Sequence, residues 1–348
     1  MPARRKSAVT MDRIADLAKV SKATVSRALD DDPRVNAKTK ARIKEIARRL
    51  DYHPNLAAVG LARRRTHTVG LVIPSAPRVL SDPFYLEFLG GAGDFALKQG
   101  YNILLSPMAD EAPGHVSLLA SNRVDGLILT EPQQNDPRVP YLKDLGVPFV
   151  FLGQTEAKAD AIWVDGDNVG GARMAVEHLI ALGHERIGCI TGPMNLVAAG
   201  NRLAGYIAAL TAKGIPYDSQ LVAESDFTEP GGRRAMERLL ALDPRPTAVF
   251  AGNDLVAIGA INAARERGLS IPGDLALVGF DGIRSGELVI PKLTTVIQPI
   301  YRLGWLAGEL LIKAIRGEEI AVRHVLLPLD LCIRESCGAH RPEVENRA

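Results

Sequence analysis

Apolar residues recur at helical spacing in three segments near the start of the chain, Met11–Lys19, Ser21–Leu29 and Ala37–Leu50. The positions expected to face inward are Ile14, Leu17, Ala18, Val25, Ala28, Leu29, Ile43, Ile46, Ala47 and Leu50. Helices this short are not stable alone in water, so the three must pack on one another. Since only a tight turn at Val20 separates the first two, the pattern predicts a helix-turn-helix unit, with an ordinary three-helix bundle as the alternative.

The second of these helices has a polar front opposite its apolar back. Lys22, Ala23, Ser26 and Arg27 lie on that front and point away from the expected core. Residues suited to capping a helix stand directly before the three segments, namely Thr10, Ser21 and Asn36. The pattern therefore predicts an exposed, cationic helix face on a small helical unit.

From Thr68 onward, short apolar runs alternate with longer amphipathic segments. The predicted strands are Val69–Ile73, Asn102–Ser106, Gly126–Leu129, Phe149–Leu152, Arg186–Thr191, Ala248–Ala251 and Leu275–Phe280. The predicted helices are Phe84–Gln99, about Pro113–Asn122, Arg138–Leu145, Asn168–Leu182, Ala199–Lys213, Glu229–Leu242 and Leu255–Arg267. This alternation indicates parallel sheets, and its repetition indicates two lobes. Because ligands bind beyond the carboxyl ends of such strands, a cleft between the lobes is the expected binding site.

Charge is distributed unevenly along the 348-residue chain. Residues 1–65 hold 17 Lys and Arg against 7 Asp and Glu, whereas the remainder holds 25 against 33. A basic head followed by an acidic body fits a polyanionic partner at one end only.

The composition also bounds the cellular location. No apolar run reaches the roughly 18 residues that span a bilayer, and Met1–Thr10 lacks an apolar signal core. Cys189, Cys332 and Cys337 are odd in number and lack zinc-site spacing, which favours reduced thiols. We therefore expect a cytoplasmic protein with no membrane segment and no metal.

Three stretches of the head, Met11–Leu29, Arg34–Thr39 and Leu50–Asn55, resemble the LacI/GalR family of bacterial transcriptional repressors. The resemblance continues through the body and covers nearly the whole chain. It implies a bacterial protein whose second helix lies in the major groove of double-stranded DNA.

The resemblance implies two roles for the polar residues of the head. Lys22, Ala23 and Arg27 would reach base edges. Residues that would hold phosphates are Ser21, Thr24, Asn36 and Thr39. Long cationic side chains can bind guanine edges, and short hydroxyls near helix N-termini suit phosphate oxygens. With the residues that follow the head, the expected DNA-binding set is Thr10, Ser21, Lys22, Ala23, Thr24, Ser26, Arg27, Arg34, Asn36, Thr39, Asn55, Ala58 and Leu61.

Residues 55–66 resemble the family's hinge helix. Asn55 can cap a short helix containing Ala58, and Leu61 stands at the position that inserts between base pairs in the minor groove. Val59 and Gly60 depart from the commoner family pattern, and Gly60 costs a helix interior about 1 kcal/mol relative to Ala. This weakness fits a hinge that is helical only when paired on DNA; a plain linker is the alternative.

The body resembles the periplasmic-binding-protein-like fold. The family's motifs appear, in order, as Val164–Asn168, Leu182–His184, Asn201–Gly205, Asn253–Asp254, Gly279–Asp281 and Pro291–Gln298. Residues that the resemblance places in the effector pocket are Phe84, Tyr85, Gln154, Arg202, Phe227, Asn253, Asp281 and Gln298. Guanidinium, amide and carboxylate groups beside aromatic faces suit a polyol. The family's pocket acid after the Phe151–Leu152 strand is replaced by Gly153, so no particular sugar follows from the resemblance.

The expected organisation is an all-α helix-turn-helix head at 1–54, the hinge at 55–66, an α/β body of two doubly wound parallel-sheet lobes at 67–340, and a tail at 341–348. The chain would cross between the lobes near Asp165, Gln298 and Arg323. These crossings give an N-lobe of about 67–165 and 298–322 and a C-lobe of about 166–297 and 323–340.

No arrangement of residues predicts catalysis. Gly90–Gly93 lies inside a predicted helix, so it is not a dinucleotide loop. Gly282–Gly286 is not a nucleophile elbow, and His184 falls in a helix-to-strand turn. We expect no cofactor and no enzyme.

The function that this organisation predicts is a homodimeric, ligand-responsive repressor that binds a near-palindromic operator. Asp82–Tyr85 and the mixed acid and amide pocket favour a sugar effector, with an α-glucoside as one candidate. A nucleobase-like corepressor and a non-regulatory sugar-binding protein are the alternatives.

Overall fold

The structure is a computed structural model, and it describes residues 10–52, 65–74, 82–107, 123–155 and 161–339. Asn55, Ala58 and Leu61, the predicted helix at Pro113–Asn122 and the tail lie outside the described residues. The chain divides into two compact units, Met1–Thr66 and His67–Ala348, and each is described by itself.

The head contains three helices, α1 (Met11–Ala18), α2 (Lys22–Leu29) and α3 (Ala37–Arg49). Each begins and ends within about one residue of its predicted bounds. Its core is a single apolar cluster formed by Ile14, Ala15, Ala18, Val25, Ala28, Val35, Ile43 and Ala47. Lys19 adopts a left-handed φ of 50°, which ends α1 and turns the chain into α2.

Two details of the head differ from the prediction. Leu17 is 44% exposed, because the buried face of α1 is centred on Ile14, Ala15 and Ala18, and Leu17 lies about a third of a turn outside it. Thr10 stands at the N-cap of α1, but its hydroxyl accepts no capping hydrogen bond. Ser21 and Asn36 do cap α2 and α3, as predicted.

The body alternates strands and helices. Its strands are β1 (Thr68–Ile73), β2 (Asn102–Pro107), β3 (Gly126–Leu129), β4 (Phe149–Leu152), β5 (Ile162–Gly166), β6 (Ile187–Thr191), β7 (Val222–Glu224), β8 (Ala248–Ala251), β9 (Ala276–Asp281), β10 (Thr294–Ile297), β11 (His324–Leu327) and β12 (Asp330–Cys332). Its helices are α4 (Pro83–Lys98), α5 (Arg138–Asp144), α6 (Asn168–Ala181), α7 (Val197–Ala212), α8 (Glu229–Leu240), α9 (Asp254–Glu266), α10 (Ser285–Leu288) and α11 (Ile300–Arg316).

The strands form two sheets, and each sheet is the centre of one lobe. Within the described ranges, the first has the order β11-β5-β4-β3-β1-β2 and is parallel throughout. The second has the order β12-β10-β9-β8-β6-β7 and is parallel except for its edge strand β12. Helices cover both faces of each sheet, as the alternating pattern predicts: α4 and α11 pack opposite α5, and α6 and α7 opposite α8 and α9.

The chain passes between the lobes after β5, after β10 and after β11. The third crossing was predicted near Arg323, and this is wrong. His324–Leu327 pairs with Trp163–Gly166 in the first sheet, so the chain leaves the N-lobe at Pro328 and Leu329. The C-terminal strands are therefore divided between the lobes: β11 belongs to the first lobe, and β12 and the residues after it belong to the second.

Close helix packing in the first lobe depends on glycine. A Cβ added at Gly91 of α4 would overlap the backbone of α11 at the carbonyl of Tyr301, whereas a Cβ at Gly90 would lie 3.9 Å from the Tyr301 ring. Gly304 of α11 meets the backbone of α4 at Phe88 in the same way. These glycines let the two helix backbones touch.

Replacing Gly91 with alanine is expected to lower the free energy of unfolding by about 2 kcal/mol, since the helices must separate to admit the methyl group. Gly90→Ala is the matched control on the adjacent residue. It is expected to raise that free energy by up to about 1 kcal/mol, because alanine is the better helix former and the space is open. Urea denaturation of the two variants measures both values, and equal effects would contradict the packing argument.

Candidate functional site

The predicted DNA-binding surface of the head is exposed. Lys22, Ala23 and Arg27 of α2 face solvent, and Val25 and Ala28 on the opposite side are buried. The Lys22 ammonium lies 2.9 Å from the Asp12 carboxylate of α1. Both partners are well exposed, so this ion pair is weak and can give way to another anion.

The helix caps of the head hold the predicted phosphate-contacting residues in place. The Ser21 hydroxyl accepts a hydrogen bond from the Thr24 N–H and lies 2.9 Å from the Thr24 hydroxyl. The Asn36 side chain accepts from the Thr39 N–H at 2.8 Å. All four therefore lie in the first turns of α2 and α3, where N–H groups and the helix dipole favour anions.

Arg34 is also exposed, but its guanidinium is already bound. Its Nε and Nη2 groups both donate to the Asp32 carboxylate, and this contact lowers the pKa of Asp32. A DNA phosphate would have to compete with Asp32 for Arg34. Thr10 and Ser26 have exposed or half-buried side chains, and Asn55, Ala58 and Leu61 are outside the described residues.

A cavity of about 860 Å³ lies between the two lobes of the body. Seven of the eight predicted effector residues line it: Phe84, Tyr85, Arg202, Phe227, Asn253, Asp281 and Gln298. The eighth, Gln154, is not among the lining residues. Its neighbour Gly153 lines the cavity instead, and the Gln154 N–H donates to the Asp165 carboxylate at 3.1 Å. Gln154 thus orders the cavity wall through its backbone.

Arg202 of α7 contacts other parts of the protein through all three nitrogens of its guanidinium. Nε donates to Asn168 at 2.8 Å, Nη1 donates to the Gly252 carbonyl, and Nη2 lies 3.2 Å from the Asp281 carboxylate. The group also stacks 3.9 Å from the centre of the Phe280 ring. Arg202 therefore orders the C-lobe side of the cavity, and a ligand would have to share its donors.

Asp281 ends β9 in a strained conformation, with a φ of 105°. Its carboxylate accepts a hydrogen bond from Gln298 at 2.8 Å as well as facing Arg202. Burial raises the pKa of Asp281, although Arg202 opposes this. Gln298 follows β10 at the second lobe crossing, so this bond joins the crossing to the cavity wall.

Asn253 and Phe227 form another part of the C-lobe wall. Asn253 caps α9 by accepting from the Val256 N–H, and its amide donates to the Phe227 carbonyl at 3.1 Å. This bond holds Phe227 at a φ of 59°. Gly192 lies against the Phe227 ring, which leaves no space for a Cβ. The Phe227 ring is therefore held in place by the Asn253 hydrogen bond to its backbone and by its packing against Gly192.

Five carboxyl residues that line the cavity were not predicted: Asp82, Glu131, Asp165, Asp226 and Glu229. Asp165 is the penultimate residue of β5, and burial raises its pKa to about 6, although three N–H donors and Arg202 oppose this. Glu131 follows β3 with a φ of 50°, and Asp82 caps α4. Position after a predicted strand could have identified Glu131, and Asp82 lies directly beside the predicted Phe84 and Tyr85.

Glu131 and Asp82 form the N-lobe wall together with Tyr85. The Tyr85 hydroxyl donates to the Glu131 carboxylate at 2.7 Å, and Asp82 accepts from the Phe84 N–H at 2.9 Å. Burial raises the pKa of Glu131, and burial with repulsion from Asp281 and Glu131 raises the pKa of Asp82 to about 6. Carboxyl groups from the two lobes thus face one another across the cavity.

In the described part of the chain, no helix is long and apolar enough to cross a membrane.

A helix-turn-helix head followed by a two-lobed α/β body with a cavity between its lobes defines a class of DNA-binding regulators. The chain belongs to one family within it, the LacI family of bacterial regulatory proteins. The model of that family's DNA-binding region matches residues 10–55, and the model of the periplasmic binding protein-like domain matches residues 176–337. The chain is a transcriptional regulator and not an enzyme.

Relatives match over almost the full length. Catabolite control protein A of Priestia megaterium is 36% identical over 94% of this chain and 99% of its own, and the regulator CelR of Thermobifida fusca is 37% identical over 95% and 99%. Among solved structures, the lac repressor dimer bound to operator and an anti-inducer has a TM-score of 0.84 at 29% identity, covering 95% of this chain and 99% of that one. A CelR–cellobiose complex has a TM-score of 0.74 at 35% identity, covering 94% and 99%.

Proposed function

We propose that the protein is a dimeric repressor whose affinity for a near-palindromic operator is set by a sugar bound between the lobes. The observation that carries this proposal is the cavity, whose walls come from both lobes. Phe84, Tyr85 and Glu131 stand on one side, and Arg202 and Asp281 on the other. Aromatic faces beside hydrogen-bonding groups suit the C–H faces and hydroxyls of a sugar.

A ligand in this cavity would couple to the head through the lobe arrangement. Because it would touch both walls, it would bind one relative position of the lobes better than another, and only such a difference can shift an equilibrium. Gln298 supports this route, since it lines the cavity at a lobe crossing and is bonded to Asp281.

A two-fold operator requires a two-fold protein. The similar lac repressor structure is a dimer on operator DNA, and the similar CelR structure holds cellobiose. By analogy, this chain would act as a dimer in the bacterial cytoplasm, where the chromosome is, and would respond to a glucose disaccharide, with β-linked and α-linked forms as the candidates.

The test uses the full chain and pooled genomic DNA fragments. The fragment enriched by binding is then studied by fluorescence anisotropy in the presence of cellobiose, maltose, other sugars and nucleosides. We expect a fragment with two-fold symmetry, two protomers bound to it, and one sugar class that changes the affinity by about fivefold or more. Equal binding to random DNA would refute operator recognition, and indifference to every sugar would refute the effector proposal.

A further inference from the structure

The charge of the cavity limits which ligands it can accept. Six carboxyl residues line it, namely Asp82, Glu131, Asp165, Asp226, Glu229 and Asp281, and Arg202 is the one cationic lining residue among those the structure describes. Because each nitrogen of the Arg202 guanidinium already contacts Asn168, Gly252 or Asp281, an anionic ligand would have to share this cation with the Asp281 carboxylate.

Four of the six carboxyl groups contact an arginine or an asparagine side chain. Asp281 faces Arg202, and Asp226 faces Arg234 at 2.8 Å. The other two carboxyl groups accept hydrogen bonds from amide groups: Asp165 accepts from Asn168, and Glu229 accepts from Asn262.

Asp82 and Glu131 differ from these four. Across residues 10–52, 65–74, 82–107, 123–155 and 161–339, neither has a cation within ion-pair distance. The charge of Arg138 acts on Glu131, but its guanidinium is directed to the Asp136 carboxylate and to backbone carbonyls, among them that of Glu131. Among the residues that the structure describes, the Asp82 carboxyl group accepts one hydrogen bond, from the Phe84 N–H, and that of Glu131 accepts one, from the Tyr85 hydroxyl. Acceptor positions on both groups are therefore available to a ligand.

We propose that Asp82 and Glu131 determine which sugars bind: they accept hydrogen bonds from hydroxyl or amino groups of the effector and exclude sugars that carry a carboxylate or a phosphate. This inference rests on the proposed function, since it assigns the chemical class of the effector at the same cavity. An anionic group at this wall would face two carboxyl groups in a partly desolvated space, where repulsion is much stronger than in water.

Isothermal titration of the full chain tests the inference. The ligands are cellobiose and maltose, the uronic acid derived from each, and the 6′-phosphate of each. A disaccharide in which glucosamine replaces one glucose is the amino sugar. We expect the uronic acid and phosphate derivatives to bind at least about tenfold more weakly than the neutral parent, and the amino sugar to bind no more weakly than the parent.

Glu131→Gln and Asp82→Asn keep the size of each side chain and remove its charge. Each is expected to reduce the ratio of anionic to neutral Kd by about three- to tenfold. Glu309→Gln is the control, because Glu309 lies on α11 outside the cavity and pairs with Lys313; it should leave the ratio unchanged. The ratio compares two ligands on one variant, so a general loss of affinity does not affect it.

The outcomes separate this inference from the proposed function. If an anionic derivative binds the wild-type chain as tightly as its neutral parent, the selectivity is refuted and the sugar effector stands. If the ratio is unchanged in both variants, Asp82 and Glu131 are not its cause. If no sugar binds, the proposed function fails, and this inference fails with it.

Discussion

Replacing Arg202 with alanine is expected to abolish the response to the effector while operator binding survives. Its guanidinium holds Asn168, the Gly252 carbonyl and Asp281 together, so its loss disorders the C-lobe wall of the cavity. The head has a hydrophobic core of its own and is a separate compact unit, so it is expected to fold and bind DNA without Arg202. Operator affinity measured by anisotropy, with and without the sugar that acts on the wild-type chain, gives both quantities.

The same substitution is expected to lower the free energy of unfolding by about 3 kcal/mol, because it leaves the buried Asp281 carboxylate without its cation. The double variant Arg202→Met with Asp281→Asn removes both charges and fills part of the space. It should recover much of the stability but none of the ligand response. Thus a restored response in the double variant would show that Arg202 acts only through stability, and a normal response in Arg202→Ala would show that the cavity is not the effector site.

Positions after strands were the most predictable part of the cavity. Asn253 follows β8 and Asp281 ends β9, and the carboxyl ends of parallel strands meet at one edge of a sheet. Glu131 obeys the same rule after β3, so its position could have been predicted. Its bond to Tyr85 could not, because the two residues are 46 positions apart and meet only when α4 packs on the first sheet.

The contacts of the Arg202 guanidinium within the protein could not be predicted from the sequence for a similar reason. The sequence indicates a guanidinium suited to hydroxyls, but its three partners come from β9, from the start of α6 and from the residue after β8. Only the folded lobe shows that these partners already occupy its donors.

Among the regular elements, α11 was missed although its pattern was readable. Ile300, Leu303, Ala307 and Leu311 recur at helical spacing and are all buried.

The third lobe crossing was harder to predict from the sequence. Residues 324–332 form two apolar strands interrupted by Pro328, and nothing in their hydrophobicity indicates that the strands enter different sheets. The lobe boundary is set by strand pairing, since β11 pairs with β5 and β12 pairs with β10. Both partner strands are remote in sequence.

Replacing Arg27 with alanine is expected to weaken operator binding about 10- to 100-fold, while binding to random DNA falls much less. Arg27 is exposed on the polar front of α2, where a guanidinium can donate two hydrogen bonds to a guanine edge. Loss of one such contact costs about 1–3 kcal/mol of discrimination, which corresponds to a fold-change of about that size. Anisotropy titrations on the enriched fragment and on a scrambled fragment of equal length measure the difference.

Arg48→Ala is the control that separates base recognition from net charge. Arg48 is an exposed arginine of the same head, on the last turn of α3, and its guanidinium pairs with Glu45. Both substitutions remove one positive charge, so both lower non-specific affinity through the phosphates to a similar, small extent. Only Arg27→Ala should reduce the ratio of specific to non-specific affinity. If the two variants lose that ratio equally, α2 contributes charge alone, and the bases are bound by another part of the chain.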